Sequence, residues 1–129
     1  MVSDFMKYLR QLISTIALLL IGGCMTSVDI NKIYEMREVT MAPQPVFRVP
    51  PKYPRELRAA GVTGEAVVEA VIDQNGQVIS VKVVSSSEPR FGEAAAAAEA
   101  LWKFCPAILR NTPVKCRLQQ PFEFEVERK

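Results

Sequence analysis

Residues 64–86 read GEAVVEAVIDQNGQVISVKVVSS, and this stretch decides the fold. Two valine-rich runs, 65–73 and 78–85, lie on either side of Asn75-Gly76. An Asn-Gly pair favours a two-residue hairpin loop, because a type I′ turn needs a positive φ at both central residues. The resulting register puts six apolar residues on one face of an antiparallel strand pair, namely Ile72 with Ile79, Ala70 with Val81 and Val68 with Val83.

A helix is predicted on each side of this hairpin. Before it, Pro54 occupies the favoured first position of a short helix over residues 55–60, and Gly61 suits the left-handed stop. After it, a run of alanines, the best helix formers, stands in a segment that begins near Pro89 and that Pro106 ends. The second helix has one apolar stripe, comprising Phe91, Ala94, Ala95, Ala98, Leu101 and Trp102.

The C-terminal segment has the most regular alternation in the chain. Between residues 114 and 126, apolar and polar side chains alternate, and only Gln120 interrupts the apolar side. This period of two predicts a long strand with one buried face. Pro121 places that strand at an edge, because proline cannot donate to a ladder. The predicted fold is α+β, in the order helix–strand–strand–helix–strand, with two helices packed on one face of a three-stranded antiparallel sheet.

The N-terminal residues 1–23 have the pattern of an export signal, since Lys7 and Arg10 precede an apolar run. The run ends in the sequence LIGGC, which resembles a lipobox, so its cysteine, Cys24, is predicted to carry a lipid. The alternative is an uncleaved signal anchor, because residues 11–28 are uncharged and approach the length of a membrane span. Both interpretations place the remaining chain in the periplasm, attached to a membrane through its N-terminus.

Residues 24–49 are predicted to be a tether and proline-rich linker, and residues 50–129 the folded domain. Five of the nine prolines fall within residues 43–54, where each fixes its own φ and biases its predecessor away from helix. Such a stretch is extended and stiff. The chain of 129 residues is long enough for one domain and not comfortably for two.

Composition excludes several functions. The chain has 16 Lys and Arg against 14 Asp and Glu, which gives no electrostatic basis for binding nucleic acid. It contains no histidine, so Ser-His-Asp and Cys-His catalysis are impossible. Three cysteines are too few for a four-thiolate metal site, and no cofactor is predicted. Glu65, Glu69 and Asp73 share a strand face without a base or pocket partner, so an enzyme is not expected.

Cys105 and Cys116 leave two interpretations open. Cys105 follows the second helix, and Cys116 lies on the apolar side of the last strand. In an oxidising periplasm they are candidates for a disulfide, which would add about 3 kcal/mol by closing the loop between them. The alternative is a pair of buried free thiols that act as small apolar residues. The compartment favours the disulfide.

Several short motifs occur together in the order and spacing of a known family. They are PKYP at 51–54, Leu57, Gly61, Gly64, WKFCPA at 102–107 and PFEF at 121–124. This set, spread over residues 50–126, resembles the TonB C-terminal domain. The resemblance implies the same order of helices and strands that the residue patterns predict.

The resemblance also implies a non-enzymatic binding module. Such domains bind the periplasmic plug segments of outer-membrane receptors by adding a strand of the receptor to their own sheet, and a motor complex in the inner membrane drives transport. Unpaired backbone groups on an edge strand give affinity, and side chains tune specificity. The partner-binding residues that follow from the resemblance are Tyr53, Pro54, Val114, Lys115, Arg117 and Gln119.

Two alternatives stay beside this prediction. The first is that the last strand is only part of the sheet and binds no partner, since every open sheet has edges. The whole chain is alternatively an envelope structural or assembly lipoprotein that uses the same fold for another protein partner. The absence of the histidine found in the usual transducer anchor, and the short stretch between Cys24 and the domain, favour this alternative.

Overall fold

The computed structural model describes residues 27–127, so the predicted signal or anchor and the lipidation site Cys24 lie outside the described residues. Neither helix in the described range is long and apolar enough to cross a membrane. The elements, in chain order, are β1 (Ile33–Glu35), β2 (Gln44–Phe47), α1 (Arg55–Ala59), β3 (Gly64–Ile72), β4 (Val78–Ser86), α2 (Pro89–Glu99), β5 (Lys103–Cys105), β6 (Ala107–Leu109) and β7 (Thr112–Phe124).

β3, β4 and β7 pair antiparallel as predicted, but the prediction of a three-stranded sheet was wrong in the number of strands. In the part of the chain that the structure describes, the main sheet has five strands in the order β1-β7-β3-β4, with β6 paired to β7. β1 runs parallel to β7, and β2 and β5 form a separate two-stranded sheet. The additional strands have three or four residues, too few to show an alternating pattern.

Two of the short strands come from residues 24–49, which were predicted to be a tether and linker. β1 pairs with Lys115–Arg117, and β2 pairs with Lys103–Cys105. Between the two strands, the backbone N–H groups of Thr40 and Met41 donate to the carbonyl oxygen of Ile108 at 2.8 and 3.0 Å. These bonds attach the segment before the domain to the domain itself.

The β3–β4 hairpin keeps the predicted register only in its middle. The register shifts on both sides of that part, and near the turn Ile72 faces Val78 rather than Ile79. Ile79 is 52% exposed in consequence. The two confirmed apolar pairs are Val68 with Val83 and Ala70 with Val81.

The prediction of a two-residue type I′ turn at Asn75-Gly76 was wrong. The Asp73 carboxylate accepts hydrogen bonds from the backbone N–H groups of Asn75 and Gln77, each at 2.9 Å, and so holds a longer loop. Only Gly76 of the predicted pair has a positive φ, 80°. A β-carbon at Gly76 would collide with the carbonyl oxygen of Phe104, so the loop packs directly on β5.

α2 begins at Pro89 as predicted but ends at Glu99 and does not continue to Pro106. The residues that follow are drawn into β5, which pairs with β2 and contacts the hairpin loop. Leu101 is therefore 62% exposed, although the helical spacing predicted it on the apolar stripe. The other predicted stripe residues are buried or half-buried, namely Phe91, Ala94, Ala95, Ala98 and Trp102.

The main core lies between the inner face of the sheet and α2, and aromatic rings dominate it. Phe91 stacks on Phe124 with ring centroids 4.4 Å apart, and Tyr53 meets both rings edge-on. Trp102 is 7% exposed and donates its Nε1–H to the carbonyl oxygen of Val49 at 2.8 Å. Aromatic pairs of this geometry add to the stabilisation that burial alone gives. Fully and nearly buried members also include Leu57, Ala66, Val68, Ala70, Ile72, Ala95, Phe104, Leu118 and Phe122.

The predicted disulfide between Cys105 and Cys116 does not form, and both thiols are free. Cys105 is exposed on β5 in the two-stranded sheet, whereas Cys116 is fully buried on β7 in the main sheet. The Cys116 Sγ atom instead lies 3.8 Å from the Sδ atom of Met36. Burial raises the pKa of the Cys116 thiol to about 11, and the nearby Glu35 carboxylate adds to this, so the thiol stays protonated.

Candidate functional site

The first half of β7 has partner strands on both of its sides. Cys116 pairs with Ile72 of β3 and also with Tyr34 of β1. Since a strand residue has one neighbour on each side, β1 and β3 flank β7 on opposite sides. We call the side away from β3 the outer edge of β7. β1 covers this outer edge at Lys115–Arg117.

Beyond Arg117 the outer edge has no partner strand in the part of the chain that the structure describes. Pro121 lies opposite Val67 in the ladder with β3. Because proline has no N–H, and because hydrogen-bonded and non-hydrogen-bonded pairs alternate in an antiparallel ladder, the backbone groups of Gln119, Pro121 and Glu123 point to the outer edge. The side chains of these three residues are exposed. This open stretch offers backbone groups to a further strand.

The sequence-predicted docking residues on β7 fall into three environments. Gln119 lies exposed on the open stretch, whereas Lys115 and Arg117 are half-buried where β1 covers the edge. Val114 is fully buried, so its side chain is part of the core. The edge predicted from Pro121 is therefore correct for the second half of β7 and wrong for the half that pairs with β1.

Arg117 is the charged centre of the covered stretch. Its Nη1 atom lies 2.7 Å from Oε1 of Glu35 on β1, and its Nε atom lies 3.3 Å from Oε1 of Glu69 on β3. One guanidinium therefore links three strands across the solvated face of the sheet. Because all three side chains are partly exposed, each pair contributes only about 1 kcal/mol or less. An open depression of about 680 Å³ lies over this group and is also lined by Met36 and Gln119.

A second core holds β1 on the opposite, inner face of the sheet. Tyr34 is 7% exposed and packs with Ala107, Val114 and Cys116. The Tyr34 hydroxyl accepts a hydrogen bond from the backbone N–H of Asp29 at 3.0 Å. Tyr34 is thus the anchor that keeps β1 against the sheet.

Tyr53 and Pro54, also predicted to contact a partner, lie at the far end of β7. The Tyr53 ring contacts Phe124 at a centroid distance of 5.6 Å, and its hydroxyl donates to the carbonyl oxygen of Val62. At the rise of a strand, Phe124 is about 23 Å from Arg117 along β7. The structure therefore does not bring Tyr53 together with the covered stretch of the outer edge.

Pro54 lines a separate apolar cleft of about 550 Å³, between the segment that precedes α1 and the outward side of α2. Val49, Ala97 and the exposed Leu101 are among its other lining residues. Arg48 lies next to this region, with its guanidinium 5.5 Å from the centroid of the Trp102 ring. No residue of the outer edge of β7 lines this cleft.

Sequence reasoning missed Tyr34, Glu35 and Glu69 as parts of the site. The weak helical spacing of Ile30, Ile33 and Tyr34 pointed to a short helix or a tether. A strand of three residues gives no period to detect, and Glu69 has the pattern of a solvated surface residue. The available signal was Tyr34 itself, an aromatic residue of high strand propensity in a stretch otherwise rich in charge.

Glu99 is a buried carboxylate outside this site. It is fully buried on α2, and its two carboxylate oxygens have no hydrogen-bond partner among the residues that the structure describes. Burial raises its pKa to about 7. α2 packs on β3 and β4, away from the outer edge of β7. We therefore expect Glu99 to affect the stability of the fold and not the binding of a partner strand.

The site is an open strand edge on a small helix-covered sheet. The family model described as the Gram-negative bacterial TonB protein C-terminal region matches residues 49–126, more than half of the chain. The chain therefore belongs to the TonB C-terminal family, and the resemblance seen in the sequence is confirmed.

Curated relatives match the same region. The Protein TonB of Vibrio cholerae is 36% identical over 81 residues, which are 62% of this chain and 33% of that protein. The Protein TonB of Xanthomonas campestris pv. campestris is 37% identical over 76 residues, which are 58% of this chain and 34% of that protein. The chain thus spans about a third of the length of the curated relatives it matches.

A solved structure shares the fold. The solution NMR structure of the Pseudomonas aeruginosa TonB CTD aligns with a TM-score of 0.60 at 24% sequence identity, and the alignment covers 75% of this chain and 97% of that one. At this identity the likeness concerns the fold, and it supports the mixed α+β architecture.

Proposed function

We propose that this protein is a periplasmic, non-enzymatic binding module that engages an outer-membrane transport receptor by strand addition and so supports transmembrane transport. The observation that carries the proposal is the open stretch of the outer edge of β7, from Gln119 to Glu123, in a chain of the TonB C-terminal family. The proposed partner is an extended plug segment of the receptor.

Backbone hydrogen bonds would supply the affinity of this interaction. The open stretch presents the N–H and C=O groups of Gln119 and Glu123. The C=O group of Pro121 accepts a hydrogen bond from Nε2 of Gln120 at 3.2 Å, and a partner strand would have to replace that bond. β3 pairs with β7 along Gly64–Ile72, and the main core fixes both strands. A partner strand therefore meets an edge that is already in place, which lowers the entropy cost of binding.

The predicted attachment to a membrane belongs to the same proposal. A lipid on Cys24, or an uncleaved anchor over residues 11–28, would hold the module at the periplasmic side of a membrane. A motor complex in the inner membrane would then drive transport through the module. The mass of the mature N-terminus distinguishes the two attachments, because only lipidation at Cys24 leaves a diacylglyceryl-modified N-terminal cysteine.

The proposed function is tested by NMR titration of the full chain with synthetic plug peptides. We expect the largest shifts at the amides of Gln119 and Glu123, and none at Arg58 on α1. In Gln119→Pro the outward N–H is lost, and we expect affinity to fall at least about tenfold. Gln119 faces Glu69 in the same kind of pair as Pro121, so the variant should keep the ladder with β3.

Gln119→Ala is the matched control, because it removes the same side chain and keeps the N–H. We expect it to bind within about twofold of the unchanged chain. Unchanged main-core signals would show that both variants fold. Equal affinity of the two variants would contradict strand addition at this edge.

A further inference from the structure

The outer edge of β7 is partly occupied by the chain itself. β1 lies parallel to β7 and pairs Ile33 with Lys115 and Glu35 with Arg117. Any further strand that reached this part of the edge would need the same backbone groups. The open stretch that begins at Gln119 continues directly from the covered one, so an incoming strand can start there and then meet β1.

The segment around β1 is held by the hydrogen bond from Nε2 of Gln74 to the Ile30 carbonyl oxygen and by the contact between the sulfur atoms of Met36 and Cys116, but β1 itself makes few buried contacts. It has three residues, of which Ile33 is 36% exposed and only Tyr34 is buried. Its ion pair, between Glu35 and Arg117, is partly exposed to water. Segments with few buried apolar contacts open at a low free-energy cost compared with the core of the same domain. β1 is therefore an element that can leave while β7 stays in place.

The charges around Arg117 indicate what could replace β1. The Arg117 guanidinium lies between the carboxylates of Glu35 and Glu69. When β1 leaves, only Glu69 remains beside it. An extended peptide with an acidic residue at the position of Glu35 would restore the lost ion pair, whereas a neutral peptide would not.

We propose that β1 is a built-in competitor for the docking edge, displaced by an extended peptide that carries an acidic residue opposite Arg117. This inference rests on the proposed function, because it assumes that a partner strand binds the outer edge of β7. The observed affinity of the partner is then its intrinsic affinity reduced by the fraction of molecules in which β1 has left.

One full-chain variant opens the edge and another locks it. Glu35→Arg places two cations side by side and weakens β1 without removing a core residue; Asn31→Arg, at an exposed position of the same segment, is its control. Tyr34→Cys in a Cys24→Ser, Cys105→Ser background puts a second thiol opposite Cys116, its partner in the register. Oxidation then ties β1 to β7, and reduction of the same sample provides the matched control.

The probe is a synthetic strand-forming peptide of valine and threonine with one central glutamate, compared with the same peptide carrying glutamine. Binding is followed by NMR at the amides of Lys115, Arg117 and Gln119. We expect Glu35→Arg to bind the peptide about tenfold more tightly than the unchanged chain or Asn31→Arg. The oxidised lock should bind at least about tenfold more weakly than its reduced form, and the glutamine peptide more weakly than the glutamate peptide.

The outcomes separate this inference from the function on which it rests. Shifts at the outer edge with equal affinity in the opened, oxidised and reduced proteins would overturn the inference and leave strand addition standing. Equal affinity of the glutamate and glutamine peptides would overturn the assigned role of Arg117. No shift at the outer edge in any of the proteins, the opened one included, would overturn the proposed function and the inference with it.

Discussion

The two cores found in residues 27–127 hold the two sides of β7 with unequal strength. On the β3 side, the main core contains stacked and edge-on rings of Tyr53, Phe91 and Phe124, and a paired ladder runs from Gly64 to Ile72. On the outer side, the second core holds the three-residue β1 mainly through the ring of Tyr34. The same strand is thus fixed on one side and lightly covered on the other.

This difference has a functional meaning under the proposed strand addition. An edge that accepts a partner strand has to be rigid, because a preformed edge lowers the cost of binding. It also has to be protected when no partner is present, because an open edge is a template for aggregation. The main core meets the first need along the whole edge, and β1, held by a small core, meets the second over Lys115–Arg117.

The largest expected effect follows from breaking the main core. Phe91 is fully buried and stacks on Phe124 at 4.4 Å, so Phe91→Ala should lower the free energy of unfolding by about 4 kcal/mol. The measurement is urea unfolding of the full chain followed by circular dichroism. Leu101→Ala, at an exposed apolar position just after α2, is the control and should change stability by less than about 0.5 kcal/mol. If Phe91→Ala and Leu101→Ala lowered the free energy of unfolding by similar amounts, the stacked rings would not be the main source of stability on the β3 side.

Breaking the second core should have a smaller and more local effect. Tyr34→Ala should lower the free energy of opening β1 by about 2 kcal/mol, because it removes the main buried ring of that core. Hydrogen exchange at the amides of Lys115 and Arg117 should then accelerate roughly thirtyfold, while the amides of β3 stay protected. Tyr34→Phe keeps the ring and is the control. If the exchange of β3 rose equally in Tyr34→Ala, the two cores would be one cooperative unit.

Most of the fold was predictable from the sequence alone, because the longer strands and the helices have a regular period or a strong local propensity. The hairpin strands, the short helix before Gly61 and the long alternating strand were all predictable from period and propensity. The turn at Asn75-Gly76 was not, because the Asp73 carboxylate competes for the backbone N–H groups of the loop. The end of α2 was not predictable either, since pairing between β2 and β5 overrides the helical spacing.

The candidate site was only half predictable for a related reason. The docking role of Gln119, Lys115 and Arg117 was implied by the family resemblance. The alternation of the strand predicted only that their side chains lie on its solvated face, and the structure places them there. Whether a strand has a neighbour depends on contacts far away in the chain, and nothing local to Ile33–Glu35 indicates that it pairs with β7. Strand pairing of three residues is decided by tertiary packing, here by the burial of Tyr34.

Raising the pH should weaken the main core and leave the second core unchanged. The folded-state pKa of Glu99, about 7, lies above its ordinary value of 4.5, so the folded protein binds more protons between these values. Stability therefore falls as the pH rises from about 4.5 through 7. Glu99→Gln should stabilise the chain by about 1–2 kcal/mol at pH 8 and by little at pH 5, measured by urea unfolding at both values. Glu93→Gln, on the exposed side of α2, is the control variant for the change of charge.

The smallest expected effect is that of the ion pair beside the second core, and salt should weaken it. The ion pair of Glu35 with Arg117 is partly exposed, so Glu35→Gln should raise the exchange rate of the Arg117 amide by less than about fivefold, which corresponds to under about 1 kcal/mol. The difference should shrink at 1 M salt, because screening weakens exposed pairs. Glu65→Gln, an exposed carboxylate on β3, should leave this exchange rate unchanged. An effect of Glu35→Gln that persisted at high salt would show that β1 is held there by packing rather than by charge.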